Sequence, residues 1–252
     1  MAYKILGMRV DTVNYDIATQ MISEWAQAHE SRYVCVAAVH TVMEGHDHPE
    51  FREMVNAADL ITSDGMPLVW SLRRMGVAGQ QRVYGPELTL RLLSAAAEKG
   101  IPVGFLGSTS ETLELLGKNV RQRFPGVQIA YAVSPPFRPI SPEEDEMIVK
   151  EINDSAARIL FVGLGCPKQE KWMAAHVGRV KAVMIGVGAA FDFIAGTKEQ
   201  APKWMQSIGL EWLFRLSQEP ERLLWRYLYH NPRFLILVML PMFFRRVPRP
   251  QK

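Results

Sequence analysis

Short apolar runs alternate with amphipathic segments along most of the chain. Runs rich in β-branched and other apolar residues recur at positions 33–38, 59–62, 103–106, 127–131, 159–162 and 182–187. Runs of this length with few polar positions are typical of strands buried on both faces of a parallel sheet. Between the runs, helical periodicity predicts helices at positions 15–28, 86–99, 110–123 and 142–155.

The start of the last predicted helix carries a clear signal. Ser141 can cap it, Pro142 fits its first turn, and two glutamates follow. Strands and helices alternate, which predicts an α/β fold with a Rossmann-like, doubly wound and mainly parallel sheet. Ligands of such sheets bind outside the carboxyl ends of the strands, so the residues directly after each run are the first candidates for a site.

The composition excludes several classes of protein. Of the 252 residues, 48% are hydrophobic and 22% are charged, which is enough apolar surface for a core and excludes a disordered or fibrous chain. The two cysteines, Cys35 and Cys166, have neither metal-binding nor Cys-x-x-Cys spacing. Because no apolar signal segment follows Met1, we expect a reducing, cytosolic environment.

Charge divides the chain into two parts. Residues 1–202 hold 20 Lys and Arg against 23 Asp and Glu, a balance of −3, whereas residues 203–252 hold 9 against 3, a balance of +6. We therefore expect an α/β domain over 1–202 and a helical, basic appendage over 203–252.

The appendage contains an apolar run over 234–244, followed by Arg245, Arg246 and Arg249. As a helix, these eleven residues rise about 16 Å, roughly half the thickness of a bilayer core, so the run is too short to span a membrane. Two interpretations remain. The run lies at a membrane surface with its arginines on anionic headgroups, or it is a buried core helix.

Asp64 directly follows the apolar run at 59–62, with Gly65 and Pro67 after it. At the carboxyl end of a strand, an aspartate can act as a general base or can cap the helix that Pro67 opens. Spacing alone favours the cap.

Turns of small residues follow three of the predicted strands. Their backbone N–H groups and the helix dipoles behind them favour a phosphate, although none completes a G-x-G-x-x-G motif. Tight packing of strands against helices explains each turn equally well, but three turns on one edge favour a diphosphate ligand. The candidate phosphate-binding residues are Gly107, Ser108, Gly163, Gly165, Gly188 and Asp192.

Several motifs are absent from the sequence. It has no Asp-x-Asp pair to hold a divalent ion on a diphosphate, no zinc spacing, no Walker A lysine and no G-x-S-x-G elbow. We therefore expect no metal and no cofactor. The acidic run at 143–146 is interpreted as a solvated helix face, and His40, His46 and His48 as part of a helix entry and loop.

Five ordered motifs resemble one family. They are Val39-His-Thr-Val42, Ala57-Ala-Asp-Leu60 with Asp64-Gly-Met66, Gly163-Leu-Gly-Cys-Pro-Lys-Gln-Glu-Lys-Trp172, Gly186-Val-Gly-Ala-Ala-Phe-Asp-Phe193 with Ala195-Gly-Thr197, and Ala201-Pro-Lys-Trp-Met205 through Gly209-Leu-Glu-Trp-Leu-Phe-Arg215 to Glu219-Pro220. From about residue 4 to residue 229, the chain resembles the WecG/TagA/CpsF glycosyltransferases, glycosyltransferase family 26.

The resemblance implies an inverting, metal-independent transfer from a UDP-sugar to a sugar on undecaprenyl diphosphate. The reaction would take place at the cytoplasmic face of the membrane, in the synthesis of a surface polysaccharide or cell-wall polymer. The implied partners are the UDP-sugar, the polyprenyl-diphosphate-linked acceptor and an anionic membrane surface, with no nucleic acid; a homo-oligomer stays open.

The resemblance also assigns roles to residues. It makes Asp64 the base, rather than only a cap, and places Arg82 and Gln169 near the donor. Three arginines of the appendage, Arg215, Arg222 and Arg226, would complete the site on the membrane. The implied catalytic residues are Asp64, Arg82, Gln169, Arg215, Arg222 and Arg226.

The chain departs from the family pattern just before the histidine motif. Family members often have Thr-x-Asn there, whereas this chain has Val36-Ala-Ala38. Because a pocket hydroxyl or amide can select a sugar by hydrogen bonding, the donor is either of the N-acetylmannosamine type or a hexose such as glucose.

Two alternative functions share some of these features. A nicotinamide-dependent oxidoreductase would have the same alternation of strands and helices, but it should carry a complete G-x-G-x-x-G at its first strand, which is lacking here. A non-catalytic, membrane-surface module that binds nucleotide sugars would need the basic appendage but would have no use for Asp64.

Overall fold

The computed structural model describes residues 1–244. Its centre is a six-stranded, all-parallel sheet flanked by helices, as predicted. Arg245, Arg246 and Arg249 of the predicted basic end lie outside the described residues.

All six predicted runs form strands of this sheet, with bounds that differ by one or two residues. In chain order the strands are β1 (Ala2–Ile5), β2 (Met8–Asp11), β3 (Arg32–Ala37), β4 (Leu60–Ser63), β5 (Val103–Gly107), β6 (Ile129–Val133), β7 (Ile159–Gly163) and β8 (Val183–Gly186). The sheet order is β4-β3-β8-β7-β5-β6, and β1 and β2 form a separate antiparallel hairpin. The hairpin was not predicted, because each of its strands offers only four residues to a periodic pattern.

The four predicted helices are present as α1, α5, α6 and α7. The helices are α1 (Tyr15–Gln27), α2 (Val39–Asp47), α3 (Pro49–Asn56), α4 (Met66–Arg74), α5 (Gly85–Lys99), α6 (Ser110–Arg123), α7 (Pro142–Asp154), α8 (Lys168–His176), α9 (Ala190–Ala195), α10 (Lys203–Ser207), α11 (Glu211–Gln218), α12 (Pro220–Phe234) and α13 (Leu240–Phe244). A π-helical segment, Leu235–Met239, joins the last two. Ser141 caps α7 in a reciprocal box with Glu144.

The sheet is buried on both faces, which explains why its strands appear in the sequence as nearly continuous apolar runs. Along β3, Val34 and Val36 belong to one hydrophobic cluster, and Tyr33 and Cys35 belong to the cluster on the other face. Side chains alternate across a strand, so every position of β3 after Arg32 needs an apolar residue. Because the strands are parallel, their carboxyl ends all lie at the same end of the sheet.

The end of the appendage is attached to the α/β part. Phe234 and Val238 are buried in the same cluster as Leu68 of α4, and Arg233 pairs with Asp47 of α2 through both carboxylate oxygens, at 2.7 and 2.5 Å. The other face of this segment is exposed. Within residues 1–244, no helix is both long and apolar enough to cross a membrane.

The core-helix interpretation is confirmed for one face of the apolar run, and the membrane-surface interpretation stays a prediction. Phe234 and Val238 are buried as a core helix would be, whereas Leu235, Ile236, Leu237 and Leu240 are between 40% and 59% exposed. α10 begins at Lys203, directly after the expected boundary. The division of the chain into an α/β domain over 1–202 and an appendage over 203–252 stays a prediction.

Candidate active site

A cavity of about 420 Å³, here called the first cavity, lies at the carboxyl ends of β3, β4 and β8. Helices α11 and α12 of the appendage form its other wall. All six residues implied to be catalytic line it: Asp64, Arg82, Gln169, Arg215, Arg222 and Arg226.

Asp64 is the first residue after β4, and its backbone N–H donates to the carbonyl of Ala37 at the end of β3 (2.9 Å). The helix that follows has Gly65 as its N-cap and no side-chain cap. The capping interpretation is therefore wrong. Oδ1 of Asp64 accepts from Nη2 of Arg82 at 2.9 Å, and Oδ2 accepts no hydrogen bond from the described residues. Gly85 leaves room beside Oδ2, since a Cβ at Gly85 would lie 3.9 Å from it.

Arg82 joins Asp64 to the appendage. Its Nη2 also donates to Oε2 of Glu211 at 2.6 Å, and its Nε donates to the backbone carbonyl of Asp64. The guanidinium stacks on the ring of Tyr84, 4.0 Å from the ring centre. One buried cation thus serves two carboxylates, one from the end of the sheet and one from α11.

Burial raises the pKa of Asp64 above its ordinary value. The positive charge of Arg82 opposes this rise in the pKa, whereas the negative charge of Glu211 adds to it. A carboxylate that binds a proton more tightly than usual, and that keeps one oxygen free, is suited to act as a general base.

Gln169 holds two glycine turns together. Its Oε1 accepts from the N–H groups of Gly165 and Gly188, at 3.2 and 3.1 Å, and its Nε2 donates to Glu170 at 2.9 Å. The amide oxygen is therefore fully engaged within the protein, and the amide nitrogen uses one of its two N–H groups there. The N–H groups of Gly165 and Gly188 are also engaged, so a phosphate at these turns would have to be bound by other donors.

The three arginines of the appendage reach the first cavity from two helices. A single helix would present Arg215, Arg222 and Arg226 on one face, but the helix ends at Gln218 and restarts at Pro220. Arg215 lies over the ring of Phe193 at 5.8 Å. Arg222 is about half exposed and pairs with Glu219 at 2.6 Å. The arginines converge on the cavity despite the break.

A second cavity, of about 560 Å³, adjoins the first along the same edge of the sheet. Five of the candidate phosphate-binding residues line it: Ser108, Gly163, Gly165, Gly188 and Asp192. Gly165, Gly188 and Arg222 line both cavities. The two cavities therefore adjoin at these shared residues.

Gly107 lines neither cavity, contrary to prediction. A Cβ on Gly107 would lie 2.6 Å from the backbone carbon of Gly163, and a Cβ on Gly163 would lie 2.7 Å from the ring of Phe191. Close packing explains why both residues are glycine. The carboxylate of Asp192 pairs with Lys198 at 2.9 Å. A carboxylate accepts hydrogen bonds, so it cannot donate one to a phosphate.

A family model described as "Glycosyl transferase WecG/TagA/CpsF family" matches residues 3–248. The chain belongs to this family. It is therefore a glycosyltransferase, and its sheet is the Rossmann-like fold expected from the sequence. Membership displaces the nicotinamide-dependent oxidoreductase as an alternative.

Three residues near the WecG/TagA/CpsF site were not predicted as site residues. Glu211 and Tyr84 contact Arg82, and His40 lines the first cavity. Burial, together with the charges of Arg226 and Arg215, lowers the pKa of His40 to about 3, so its ring is neutral. His40 and Glu211 both lie in motifs that resemble the family, which was the available signal; Tyr84 had none.

Acidic and histidine side chains within the described residues form no group of three or more that could hold a metal ion. His40 lies in the first turn of α2, which confirms the predicted helix entry. His46 is helical instead of in a loop, and His48 is the non-helical residue between α2 and α3. The acidic run at 143–146 is not wholly solvated, because Asp145 lies 2.9 Å from Nε2 of the buried His176.

Proposed function

We propose that this glycosyltransferase is an inverting, metal-independent enzyme of surface polysaccharide or cell-wall polymer synthesis. It moves a sugar from a UDP-sugar to a sugar carried on undecaprenyl diphosphate, at the cytoplasmic face of the membrane. One observation carries the proposal. A buried carboxylate with a free oxygen, Asp64, shares a cavity with three arginines, and this cavity opens into a second one.

Inversion needs one base. In the proposed reaction, Oδ2 of Asp64 takes the proton of the acceptor hydroxyl while that oxygen attacks the anomeric carbon of the donor. The bond from the anomeric carbon to the diphosphate oxygen breaks, and UDP leaves with the electron pair. General-base catalysis of this kind typically contributes about 10²–10⁴ in rate.

The charge that develops on UDP must be balanced. Arg215, Arg222 and Arg226 supply guanidinium groups, which bind diphosphate oxygens in pairs and stabilise the leaving group without a metal. Arg222 borders both cavities, so it is the best candidate to contact the diphosphate itself.

The nucleotide is proposed to occupy the second cavity, and the transferred sugar the first. Apart from the shared glycines, the second cavity offers Lys168 as a cation, the indole of Trp172 and the largely exposed ring of Phe137. Asp192 is a hydrogen-bond acceptor there, which suits a ribose hydroxyl or a base N–H better than a phosphate.

The donor sugar is proposed to be of the N-acetylmannosamine type or a hexose such as glucose. Val36 and Ala38 line the first cavity, where family members often carry polar side chains. An apolar wall offers no hydrogen bond to a sugar substituent, which favours the hexose.

The acceptor end of the first cavity supports a lipid-linked substrate at a membrane surface. Trp70, Leu235 and Met239 line this end, and Leu235 continues into the exposed apolar face of the π-helical segment. Such a face is suited to lie at the boundary of headgroups and acyl chains. We propose that the appendage over 203–252 completes the site there and holds the enzyme on the membrane.

The test is a matrix of UDP-sugars against sugars on polyprenyl diphosphate. We expect UDP release and a glycosylated lipid with inverted anomeric configuration, for at least one hexose or N-acetylhexosamine donor. Retention of configuration would contradict the single-base mechanism. UDP-sugar binding without turnover on any lipid-linked acceptor would favour the non-catalytic binding module.

A further inference from the structure

We propose that Glu211 is a positioning residue that shares the Arg82 guanidinium with Asp64, so that docking of the appendage on the α/β part completes the base. The proposal rests on the proposed role of Asp64 as the base. It adds a function for the appendage that the three arginines do not supply.

The geometry is that of one donor with two acceptors. Nη2 of Arg82 lies 2.9 Å from Oδ1 of Asp64 and 2.6 Å from Oε2 of Glu211. The side chains of all three residues are less than one-fifth exposed, at 19%, 16% and 12% for Asp64, Arg82 and Glu211. Solvent therefore screens these charges less than it would at the surface, and each affects the others.

Without Glu211, we expect Arg82 to turn fully to Asp64. Its Nε already lies 3.3 Å from Oδ1 of Asp64, so Nε and Nη2 could form a paired, bidentate contact with both oxygens of this carboxylate. That contact would engage Oδ2, the oxygen that takes the proton in the proposed reaction. Glu211 holds Nη2 away from it.

The negative charge of Glu211 favours proton binding by Asp64, as the geometry does. Asp64 is faced by Arg82, by Glu211 and Arg215 on α11, and by the hydroxyls of Tyr15 and Tyr84. Glu211 is the nearby carboxylate among these groups, so it opposes the ionisation of Asp64 and strengthens its hold on a proton. A stronger base removes the acceptor proton more readily at the same geometry.

The experiment is a direct titration of Asp64 in the full chain, with ¹³C in the aspartate side-chain carboxyl groups. Asp64→Asn assigns the signal. In Glu211→Gln, we expect the Asp64 carboxyl to titrate at a pH lower by about one unit or more, because a neighbouring negative charge is lost and the positive charge of Arg82 is then balanced by Asp64 alone. The acid limb of the kcat/KM profile should shift by the same amount.

Glu221→Gln is the matched control. Glu221 lies exposed in the first turn of α12, so this variant removes the same charge from the appendage at a site that does not contact Arg82. The Asp64 titration should not move. Glu211→Ala removes both the charge and the acceptor, so Nη2 of Arg82 is also released and the shift should be at least as large as in Glu211→Gln.

An Asp64 titration that stays at its wild-type position in a Glu211 variant that melts cooperatively would overturn the proposal. If neither Glu211 variant melts cooperatively, Glu211 is a structural residue and the proposal is also wrong. Failure of the proposed function gives a different result. In that case Asp64→Asn keeps its transfer activity, while the carboxyl titration still reports whether Glu211 acts on Asp64.

Discussion

The two walls of the first cavity are built in different ways. The wall that carries Asp64 grows out of the sheet, where residues such as Ile61 and Val34 are fully buried. The wall that carries Arg215 consists of α11 and α12, in which Leu223 and Phe234 are the buried apolar residues. Most of the large apolar side chains exposed on the described chain belong to the appendage that contains this wall.

The two walls therefore differ in how firmly the fold holds their residues. The sheet fixes Asp64 through backbone hydrogen bonds and a close-packed core, which leave little freedom. The appendage wall depends on fewer contacts, among them the burial of Phe234 and the ion pairs of Arg233 with Asp47 and of Glu211 with Arg82. Exposed apolar faces of this kind mark interaction surfaces, so under the proposed function this wall is where a membrane would affect the reaction.

The largest effect is expected from the sheet wall. Asp64→Asn should lower transfer by about 10²–10⁴, because the amide keeps the volume but cannot accept the proton. UDP binding and the melting temperature should stay near their wild-type values. Turnover of the purified variant, measured beside its UDP affinity, checks this.

The pH profile sharpens the same prediction. Asp64 must be ionised to act, and burial raises its pKa, so the acid limb of kcat/KM should lie above the pH at which an ordinary aspartate titrates. Near wild-type turnover in Asp64→Asn would mean that the carboxylate serves only to hold Arg82.

Features that depend on neighbouring residues could be predicted from the sequence, whereas contacts between distant residues could not. The six strands were predicted, because burial on both faces leaves a local signature in the residues themselves. The sequence could not decide between phosphate binding and packing at Gly107. The residue that leaves no room for a Cβ there is Gly163, on another strand. The pairing of Arg82 with Glu211 spans 129 positions, and no spacing rule connects them.

The second prediction concerns the exposed face of the appendage wall. Replacing Ile236 and Leu240 together with serine should weaken binding to anionic vesicles by about 2 kcal/mol, or roughly 30-fold, because each is about half exposed and would bury that area in lipid. Vesicle co-sedimentation measures the loss. Neither residue lines a cavity, so turnover on a soluble acceptor should persist.

Phe234→Ala is the control on the buried face of the same segment. Phe234 is 1% exposed, so its truncation should lower the free energy of unfolding by about 3–5 kcal/mol while vesicle binding of the folded protein is retained. If the serine variant also melts at a much lower temperature and binds vesicles normally, the face is structural and not a membrane contact.

The third prediction tests the arginines of the appendage wall. Alanine at Arg215, Arg222 or Arg226 should lower turnover by about tenfold each, equivalent to about 1.4 kcal/mol of barrier, with little change in melting temperature. Lysine should restore activity only in part, because an ammonium group cannot bind two oxygens of a diphosphate as a guanidinium does.

Arg123→Ala is the matched control for charge, since Arg123 is exposed on α6 and lines neither cavity. Turnover and vesicle partitioning should be measured on the same samples. Variants that lose activity only in proportion to lost membrane binding would show that the arginines are anchors and do not act on the diphosphate.

The smallest effect is expected from removal of divalent ions. If the appendage wall supplies the positive charge that other transferases take from a metal, transfer should persist within about twofold in excess EDTA, because arginines can stabilise the departing diphosphate themselves. The same assay on Arg222→Ala, with and without Mg²⁺, sharpens the comparison. A metal should rescue this variant little, since the first cavity has only Asp64, Glu170 and Glu211 as carboxylates, and Arg82 engages two of them. Loss of wild-type transfer on chelation, with recovery on adding Mg²⁺ or Mn²⁺, would falsify the metal-free mechanism and assign the charge balance to an ion instead of the appendage.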